Sequence, residues 1–421
     1  MDSGQRPSDR VRGATALVGP RIAERIARLG TETAFAVSAE AAAFAAQGHH
    51  VYPFHLGDLN IPTPNNVVEA SFKAIREGKT GYCPNAGIPE LRSAVAADIS
   101  ASHGLSYAAE NVAIEMGGKP VIGKFMLALM NPGDEVLYPN PGYPIYESQI
   151  EFHGGVAVPY SYLEGEHGFV IDLDALEAAI TPQTRLLVLN DLQNPMGAEC
   201  SADELEHLAE LVLRHDLTVL CDEAYFDIRY SGASMSLASL PGMAERSVIL
   251  YTFSKKFAMT GWRLGAAIGP REVIEVIAKL NTNDESCPNH FIQYGALEGL
   301  TGDQSGPRRI ISVLRERRDA AARILNETPG ISCYTPNVTF YLFPNVTRAM
   351  ANKAFTNVED FRRAVLHETG VSACSRVHFS RPQPGEAEQY LRLAYSGIDT
   401  EQIVEGLGLL KAYLAGGRSD V

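Results

Sequence analysis

The stretch Ser254-Lys255-Lys256-Phe257-Ala258-Met259-Thr260-Gly261-Trp262-Arg263 decides how the rest of the chain is interpreted. It follows a short apolar run, Val248 to Tyr251, that predicts a buried strand. A lysine at the end of a buried strand is costly to keep charged, so its pKa falls and its amine can attack a carbonyl. Arg263 offers a rigid cationic fork suited to phosphate. The string therefore predicts a site for an aldehyde that carries a phosphate.

The same ten residues resemble the cofactor-lysine signature of class I and II aminotransferases of fold type I, whose cofactor is the aldehyde pyridoxal 5'-phosphate (PLP). The competing interpretation is an exposed basic pair at the start of a helix, and it would explain an isolated Ser254-Lys255 better than the full string. The spacing to Gly261 and Arg263 selects Lys255 as the lysine that forms the Schiff base. We expect Lys256 to be a solvated neighbour.

Size and composition are those of an ordinary globular protein. A chain of 421 residues with 45% hydrophobic and 20% charged residues is long enough for two domains with sizeable cores. The net charge of −14 argues against nucleic acid and against an anionic membrane surface as partners. The six cysteines show neither metal-ligand spacing nor a disulfide framework. We therefore expect free thiols and no metal.

The predicted location is the cytoplasm, because the polar N-terminus has no apolar signal core and no apolar run is long enough to span a bilayer. Residues 1–18 have little to bury and predict a disordered tail. We divide the remainder into an N-terminal segment (19–56) that packs on the small domain, a large PLP-binding domain (57–305) and a small C-terminal domain (306–421).

The predicted fold class is α/β. From about residue 110, near-continuous apolar strands alternate with helices, which indicates a mostly parallel sheet covered on both faces. The fold-type I resemblance implies the same large domain together with a smaller α+β domain. In that smaller domain, residues 339–343 and 390–395 alternate like half-exposed strands, and residues 20–47 are predicted to be helical.

Polar residues at predicted strand ends match the needs of PLP, because ligands of an open parallel sheet bind beyond the carboxyl ends of its strands. Asp222 is placed to keep the pyridine nitrogen protonated, which makes the ring an electron sink. Tyr225 can donate to the phenolic oxygen of the ring. By resemblance, Asn194 in Asn190-Asp191-Leu192-Gln193-Asn194-Pro195-Met196-Gly197 bonds the same oxygen, and Met196 departs from the usual threonine.

Further site residues follow from short motifs. Met116-Gly117-Gly118-Lys119 lies between a strand and a helix and resembles the phosphate cup of the family. The resemblance implies cofactor contacts by Gly118, Lys119, Thr252, Ser254 and Arg263, and stacking of Tyr143 on the pyridine face. It also implies that Arg392 grips the substrate α-carboxylate, with Gly57 and Asn194 nearby. Tyr82 is expected to reach the cofactor phosphate of the partner subunit, which implies a homodimer.

Each motif alone also fits an ordinary structural role. Asp222 could be a helix cap, Asn194-Pro195 a turn, Tyr143 a core residue and Arg392 an exposed strand residue. Their occurrence in family order, from about residue 20 to 415, favours the site. Two departures, at residues 57–64 and 374–380, leave the exact reaction open, and a structural role is favoured for Arg376 and His378.

The leading function is amino-group transfer from an amino acid to a 2-oxo acid. Asn283-Asp284-Glu285-Ser286 falls where the family places a segment of the partner subunit over the substrate side chain. An acid pair there would repel a dicarboxylate and favour a cationic side chain, although solvated surface acids are an equally good interpretation. The alternative is elimination, replacement or carbon–carbon bond formation with PLP, for example on S-adenosylmethionine. A PLP-fold effector domain of a transcription regulator is disfavoured by the charge and the short N-terminus.

Overall fold

The computed structural model describes residues 20–30, 33–166 and 168–416, so the predicted disordered tail at residues 1–18 lies outside the described residues. The strands are β1 (Tyr52–Pro53), β2 (Val112–Glu115), β3 (Glu135–Pro139), β4 (Val156–Tyr160), β5 (Tyr162–Gly165), β6 (Gly168–Ile171), β7 (Thr184–Leu189), β8 (Thr218–Asp222), β9 (Ser247–Thr252), β10 (Gly265–Ile268), β11 (Tyr341–Leu342), β12 (Val371–Ser372), β13 (Cys374–Ser375) and β14 (Leu391–Ala394).

The helices cover both faces of the central sheet and build most of the C-terminal part. They are α1 (Ala34–Ala46), α2 (Asn65–Arg76), α3 (Pro89–His103), α4 (Lys119–Leu129), α5 (Ile145–Phe152), α6 (Leu173–Ala178), α7 (Ala202–Arg214), α8 (Phe253–Lys256), α9 (Arg271–Asp284), α10 (His290–Thr301), α11 (Ser305–Asn326), α12 (Thr347–Asn352), α13 (Val358–Thr369) and α14 (Thr400–Ala415).

The central sheet has seven strands in the order β2-β10-β9-β8-β7-β3-β4. Neighbours from β9 to β4 are parallel, whereas β10 runs antiparallel to both β9 and β2. Six strands therefore point in one direction, and their carboxyl ends share one edge with the amino end of β10. The prediction of an α/β fold with a mostly parallel sheet is confirmed.

Strand alternation divides the core of the sheet into two layers. On β8, Val219 and Cys221 pack into one apolar cluster with α3 and α7, while Leu220 packs into the other with α4 and α5. Because both faces are covered, all five residues from β9 position 248 to 252 are buried.

A third cluster joins the two ends of the described chain. Tyr52 and Phe54 pack with residues of α11, α13 and α14, and β1 pairs in parallel with β12. Residues 52–54 of the N-terminal segment thus contact the C-terminal part, and the division of the chain into domains, with its boundary between residues 305 and 306, stays a prediction.

Three element predictions need correction. Residues 20–47 do not form one helix, since a 3-10 turn at Glu24–Arg28 precedes α1. The strand predicted at 339–343 shortens to β11, and the strand predicted at 390–395 shortens to β14. Both are buried at every position rather than half-exposed, because they pack within the third cluster, which contains Tyr52 and Phe54 of the N-terminal segment and residues of α11, α13 and α14.

Candidate active site

The polar residues singled out from the sequence lie at the shared edge of the sheet, where β2, β3, β7, β8 and β9 end. Lys255 follows β9 on the short helix α8, whose first turn is capped by Thr252 Oγ1 accepting from the Ser254 amide at 3.2 Å. Its ammonium donates to the Gly57 carbonyl at 2.8 Å. It also lies 5.2 Å from the ring centroid of Phe340 and 5.9 Å from that of Tyr225. The amine therefore faces an aromatic-lined site.

Asp222 ends β8 with its carboxylate buried. The Tyr146 hydroxyl donates to Oδ2 at 2.6 Å, and the Ala224 amide donates to Oδ1 at 3.1 Å. Burial raises the pKa of Asp222 to about 6, while these two hydrogen bonds pull it back down. A buried carboxylate of this kind suits a cationic partner such as a protonated ring nitrogen.

A cradle for an anion lies between β2 and α4. Gly117 has φ +101°, and a Cβ there would come within 2.4 Å of Arg263 Nη2, so the guanidinium lies directly on the glycine backbone. A Cβ on Gly118 would meet the Leu250 side chain at 2.9 Å. The two hydroxyls of Thr252 and Ser254 are 2.9 Å apart. Two glycines that allow close approach of the backbone, a guanidinium and two hydroxyls fit a phosphate group.

Tyr143 and Lys119 line the same edge. The Lys119 ammonium lies 5.6 Å from the centroid of the Tyr143 ring, and that ring makes an edge contact with Tyr146 at 5.8 Å. Tyr143 is only half-buried, unlike the core residue Tyr146. An aromatic face and a second cation thus accompany the phosphate cradle.

Arg392 lies on β14 and is buried. Its Nη1 is 3.5 Å from Asn194 Oδ1, Nη2 donates to the His55 carbonyl, and its guanidinium stacks over the rings of Tyr341 and Phe379. Its Nε has no hydrogen-bond partner, and no carboxylate of the described residues is ion-paired with it. A desolvated guanidinium with spare donors is suited to bind a carboxylate of a substrate.

Two tyrosines of the site were missed from the sequence. The Tyr341 hydroxyl lies 2.6 Å from the Tyr225 hydroxyl, and a Cβ on Gly57 would collide with it at 2.2 Å. Tyr341 thereby lies against Tyr225, Gly57 and Arg392, three residues that were predicted separately from the sequence. Its place in an apolar strand pattern gave no signal. Tyr146 did carry a signal, since it lies three residues after Tyr143 in Pro139-Asn140-Pro141-Gly142-Tyr143-Pro144-Ile145-Tyr146.

Tyr82 does not pack within its own chain. It is 87% exposed, on the loop between α2 and α3. Its position is consistent with a role outside the subunit, and the structure leaves that role as a prediction.

Two predictions about charged neighbours are wrong. Lys256 is not solvated, because its side chain is 14% exposed and its ammonium pairs with Asp98 at 3.3 Å and with Asp227 at 3.1 Å. Asp284 and Glu285 are not an open acid pair either, because Glu285 accepts from the buried Lys124 ammonium at 2.6 Å.

The structural role favoured for Arg376 is what the structure shows. Arg376 directly follows β13, and its guanidinium donates to the Glu386 carboxylate and to Asn140 Oδ1. His378 contacts the Thr33 hydroxyl at 2.7 Å and the Glu359 carboxylate at 3.2 Å. Within the described residues, no group of three or more histidine, cysteine, aspartate or glutamate side chains could hold a metal ion. None of the described helices is long and apolar enough to cross a membrane.

Comparison with known proteins agrees with this geometry. Residues 50–410 match the family model described as aminotransferase class I and II. The chain is 33% identical over 364 residues to an aspartate aminotransferase of Geobacillus stearothermophilus, covering 86% of this chain and 92% of the relative. It is 32% identical over 398 residues to an asparagine–oxo-acid transaminase of Streptococcus mutans, covering 94% and 99%.

Solved structures show the same likeness. The aspartate aminotransferase of Thermus thermophilus, determined with maleate, superposes with a TM-score of 0.85 at 31% identity, over 93% of this chain and 99% of that one. The aspartate aminotransferase of Rhizobium meliloti gives a TM-score of 0.87 at 30% identity, over 94% and 99%. The chain belongs to the class I and II aminotransferases, and is an amino-acid aminotransferase of fold type I that uses PLP.

Proposed function

We propose that this enzyme takes the amino group of an α-amino acid with an acidic side chain and passes it to a 2-oxo acid. The observation that carries the proposal is that the site holds two cations: the Lys119 ammonium, 5.6 Å from the centroid of the Tyr143 ring, and the buried Arg392 guanidinium on β14, which lies over Tyr341. The matched relatives named as aspartate aminotransferases support the same substrate class.

Lys255 has the central chemical role. The electron-withdrawing ring and the aldehyde of bound PLP make the α-carbon of the amino acid acidic. The Lys255 amine, 2.8 Å from the Gly57 carbonyl, would hold that aldehyde and, when not bound to it, would serve as the base that moves the α-proton. Asp222 would hold a proton on the ring nitrogen, and Tyr225 and Asn194 would donate to the phenolic oxygen.

Binding and orientation fall to the remaining residues. Gly118, Thr252, Ser254 and Arg263 hold the phosphate, with Lys119 at the first turn of α4. Tyr143 packs on the ring face. Arg392 binds the α-carboxylate through the donors that the protein leaves unused, and this fixes the plane of the substrate.

The substrate side chain is tested by initial rates with aspartate, glutamate, asparagine, alanine, ornithine and arginine as donors to 2-oxoglutarate, with the 2-oxo acid product identified by mass spectrometry. We expect aspartate or glutamate to have the highest kcat/KM. If Lys119 contacts the acidic side chain, Lys119→Met should lower kcat/KM for the acidic donor about 10-fold or more relative to alanine, since a charged hydrogen bond is lost, whereas a role at the phosphate alone would lower kcat/KM equally for both donors. Asp284→Asn, at an exposed carboxylate, is the matched control and should leave that ratio unchanged.

The second candidate is a donor with a cationic side chain, which the exposed Asp284 still favours. Faster turnover of ornithine or arginine than of aspartate, reduced by Asp284→Asn, would establish it in place of the acidic donor. A product that retains its amine would instead indicate elimination or replacement chemistry.

We also propose a homodimer in which Tyr82 reaches the partner's phosphate. Its 87% exposure supports this role, since a large aromatic side chain is rarely left so open. Two inactive variants, Lys255→Ala and Tyr82→Ala, should recover about a quarter of the wild-type activity when mixed, because half of the dimers then hold one intact site. No recovery after verified subunit exchange would contradict the arrangement.

The six free thiols favour the cytoplasm as the location of the enzyme.

A further inference from the structure

Two cysteines from distant parts of the chain meet beside the site. Cys83 lies on the loop between α2 and α3, and Cys287 lies on the loop between α9 and α10. The Cys83 amide donates to Cys287 Sγ at 3.4 Å, and the two thiols hydrogen-bond each other. The structure holds both as free thiols. This contact joins two cysteines that are 204 residues apart in the chain.

The loops that carry the pair are tied together independently of the sulfur atoms. Gln293, which is fully buried, donates through Nε2 to Cys83 Sγ at 3.2 Å and to the Pro288 carbonyl at 3.3 Å, and accepts from the Ile88 amide at 2.8 Å. Asn281 donates to the Asn85 carbonyl at 3.0 Å. These bonds hold the two loops in register, so the thiols meet without the cost of ordering a long segment.

Both thiols are within reach of small solutes. Cys83 and Cys287 are half-buried within the subunit. By contrast, Cys221, Cys333 and Cys374 are buried. Access and proximity thus coincide at this pair among the described residues.

We propose that Cys83 and Cys287 form a reversible intrasubunit disulfide when the enzyme meets a peroxide. The Cys287 thiolate attacks one peroxide oxygen, breaks the O–O bond and becomes a sulfenic acid, with hydroxide leaving. The Cys83 thiol then joins the sulfenic sulfur, and its proton leaves with the sulfenic hydroxyl as water. The two thiols lose two electrons and two protons in total, and hydrogen peroxide is reduced to two molecules of water.

The order of these steps follows from the surroundings of Cys83. Burial, together with the neighbouring Cys287 thiol, raises the pKa of the Cys83 thiol to about 11, and this keeps Cys83 protonated at neutral pH. The Cys83 thiol also donates to the Pro288 carbonyl at 3.3 Å, so we assign Cys83 the resolving role and Cys287 the first attack. The disulfide would join the loop that carries Tyr82 to the loop between α9 and α10.

Peptide mapping of the PLP-loaded enzyme after hydrogen peroxide and alkylation, without reduction, tests this directly. We expect one peptide pair joining Cys83 to Cys287, lighter by two hydrogen atoms than its parts and released by dithiothreitol. The pair should persist in Cys200→Ser, a control matched in exposure, and disappear in both Cys83→Ser and Cys287→Ser.

Separate alkylation of both cysteines at peroxide doses that oxidise exposed methionine would overturn the proposal. So would conversion of either one to a sulfinic acid without any linked peptide, or a link between subunits. The wild-type map requires no variant to fold and no turnover, so its outcome does not depend on the proposed substrate.

Discussion

Two pairs of adjacent residues show how one sheet carries both chemistry and structure. Asp222 and Lys255 face the candidate active site, whereas their neighbours Glu223 and Lys256 belong to a buried polar cluster on the opposite face. Asp222 follows the alternation of Leu220, whose side packs against α5, and Glu223 follows that of Cys221, whose side packs against α3. A one-residue step thus exchanges a catalytic position for a structural one.

In the polar cluster on the far face, the charged side chains pair with one another. Glu223 accepts from His103 at 2.6 Å and from the Ser236 hydroxyl, and this carboxylate raises the pKa of His103 against the effect of burial. Lys256 has two carboxylate partners. On the site face, by contrast, the described hydrogen bonds of Asp222 come from Tyr146 and the Ala224 amide rather than from a cation, and Arg392 keeps spare donors. Unsatisfied charge marks the face that binds ligands.

Replacing each of the two lysines separately tests this comparison with the largest expected effect. Lys255→Ala should lower the rate of the amino-acid half-reaction about 10⁴-fold, since both the covalent hold and the proton carrier are lost. Lys256→Met should leave the half-reaction within about 10-fold and lower the free energy of unfolding by about 2 kcal/mol, because two partly exposed carboxylates lose their cation. Stopped-flow absorbance and urea unfolding measure the two effects.

Equal loss of the half-reaction in both lysine variants, at intact stability, would contradict the assignment of the two faces. A Lys256 variant that unfolds as the wild type does would show that the far cluster contributes nothing.

The neighbouring acids give the next effect. Asp222→Ala should reduce kcat about 10³-fold, since the charge that stabilises the protonated ring is removed. Glu223→Gln keeps the shape but leaves His103 without a carboxylate, so we expect near-normal kcat and a lower midpoint of thermal unfolding. If Glu223→Gln reduces kcat as strongly as Asp222→Ala, the claim that only Asp222 faces the active site is wrong.

Two buried arginines extend the comparison with a smaller effect. Arg392→Lys should raise KM for the amino donor about 10-fold to 100-fold with a lesser change in kcat, because a lysine cannot form the planar bidentate pair. Arg376 already pairs with Glu386 and Asn140, so Arg376→Lys should change stability and leave KM unchanged. Steady-state kinetics over a range of donor concentrations separates these outcomes, and a raised KM in Arg376→Lys alone would reverse the assignment.

The smallest expected effect concerns pH. The folded pKa of Asp222, about 6, is above its ordinary value of 3.8, so the folded cofactor-free protein binds this proton more tightly than the unfolded chain. The Asp222 contribution to stability is therefore greatest at low pH and is lost as pH rises from about 4 to about 6. Asp222→Asn lacks this titration, so its unfolding free energy should gain about 2 kcal/mol on the wild type between pH 4.5 and pH 7.

Parallel unfolding curves for the two proteins across that pH range would show that Asp222 titrates normally. Measurements on cofactor-free protein are needed, because a bound cation beside the carboxylate changes its titration.

Much of the fold followed from sequence patterns. The central strands β8 and β9 are apolar runs buried at nearly every position, so their existence and the polar residues that follow them were predictable. The burial of β11 and β14 could not be predicted. It depends on the third cluster, whose residues come from both the N-terminal segment and the C-terminal helices and so do not fall within one stretch of sequence.

The site was predictable where a residue type has one chemical use. Lys255, Asp222 and the glycines of the phosphate cradle were found by what they can do. Tyr341 and the buried state of Lys256 were not, since their roles come from partners more than 100 residues away in sequence, such as Tyr225 and Asp98. The acid at Glu285 was misread for the same reason, as its partner Lys124 belongs to another helix.

The attachment of PLP to Lys255 is the claim on which the account depends. Borohydride reduction of the loaded enzyme followed by peptide mapping measures it directly. We predict one pyridoxyl group per chain, on the Lys255 peptide and absent from Lys256. A modified Lys256, or full turnover by Lys255→Ala, would contradict the account.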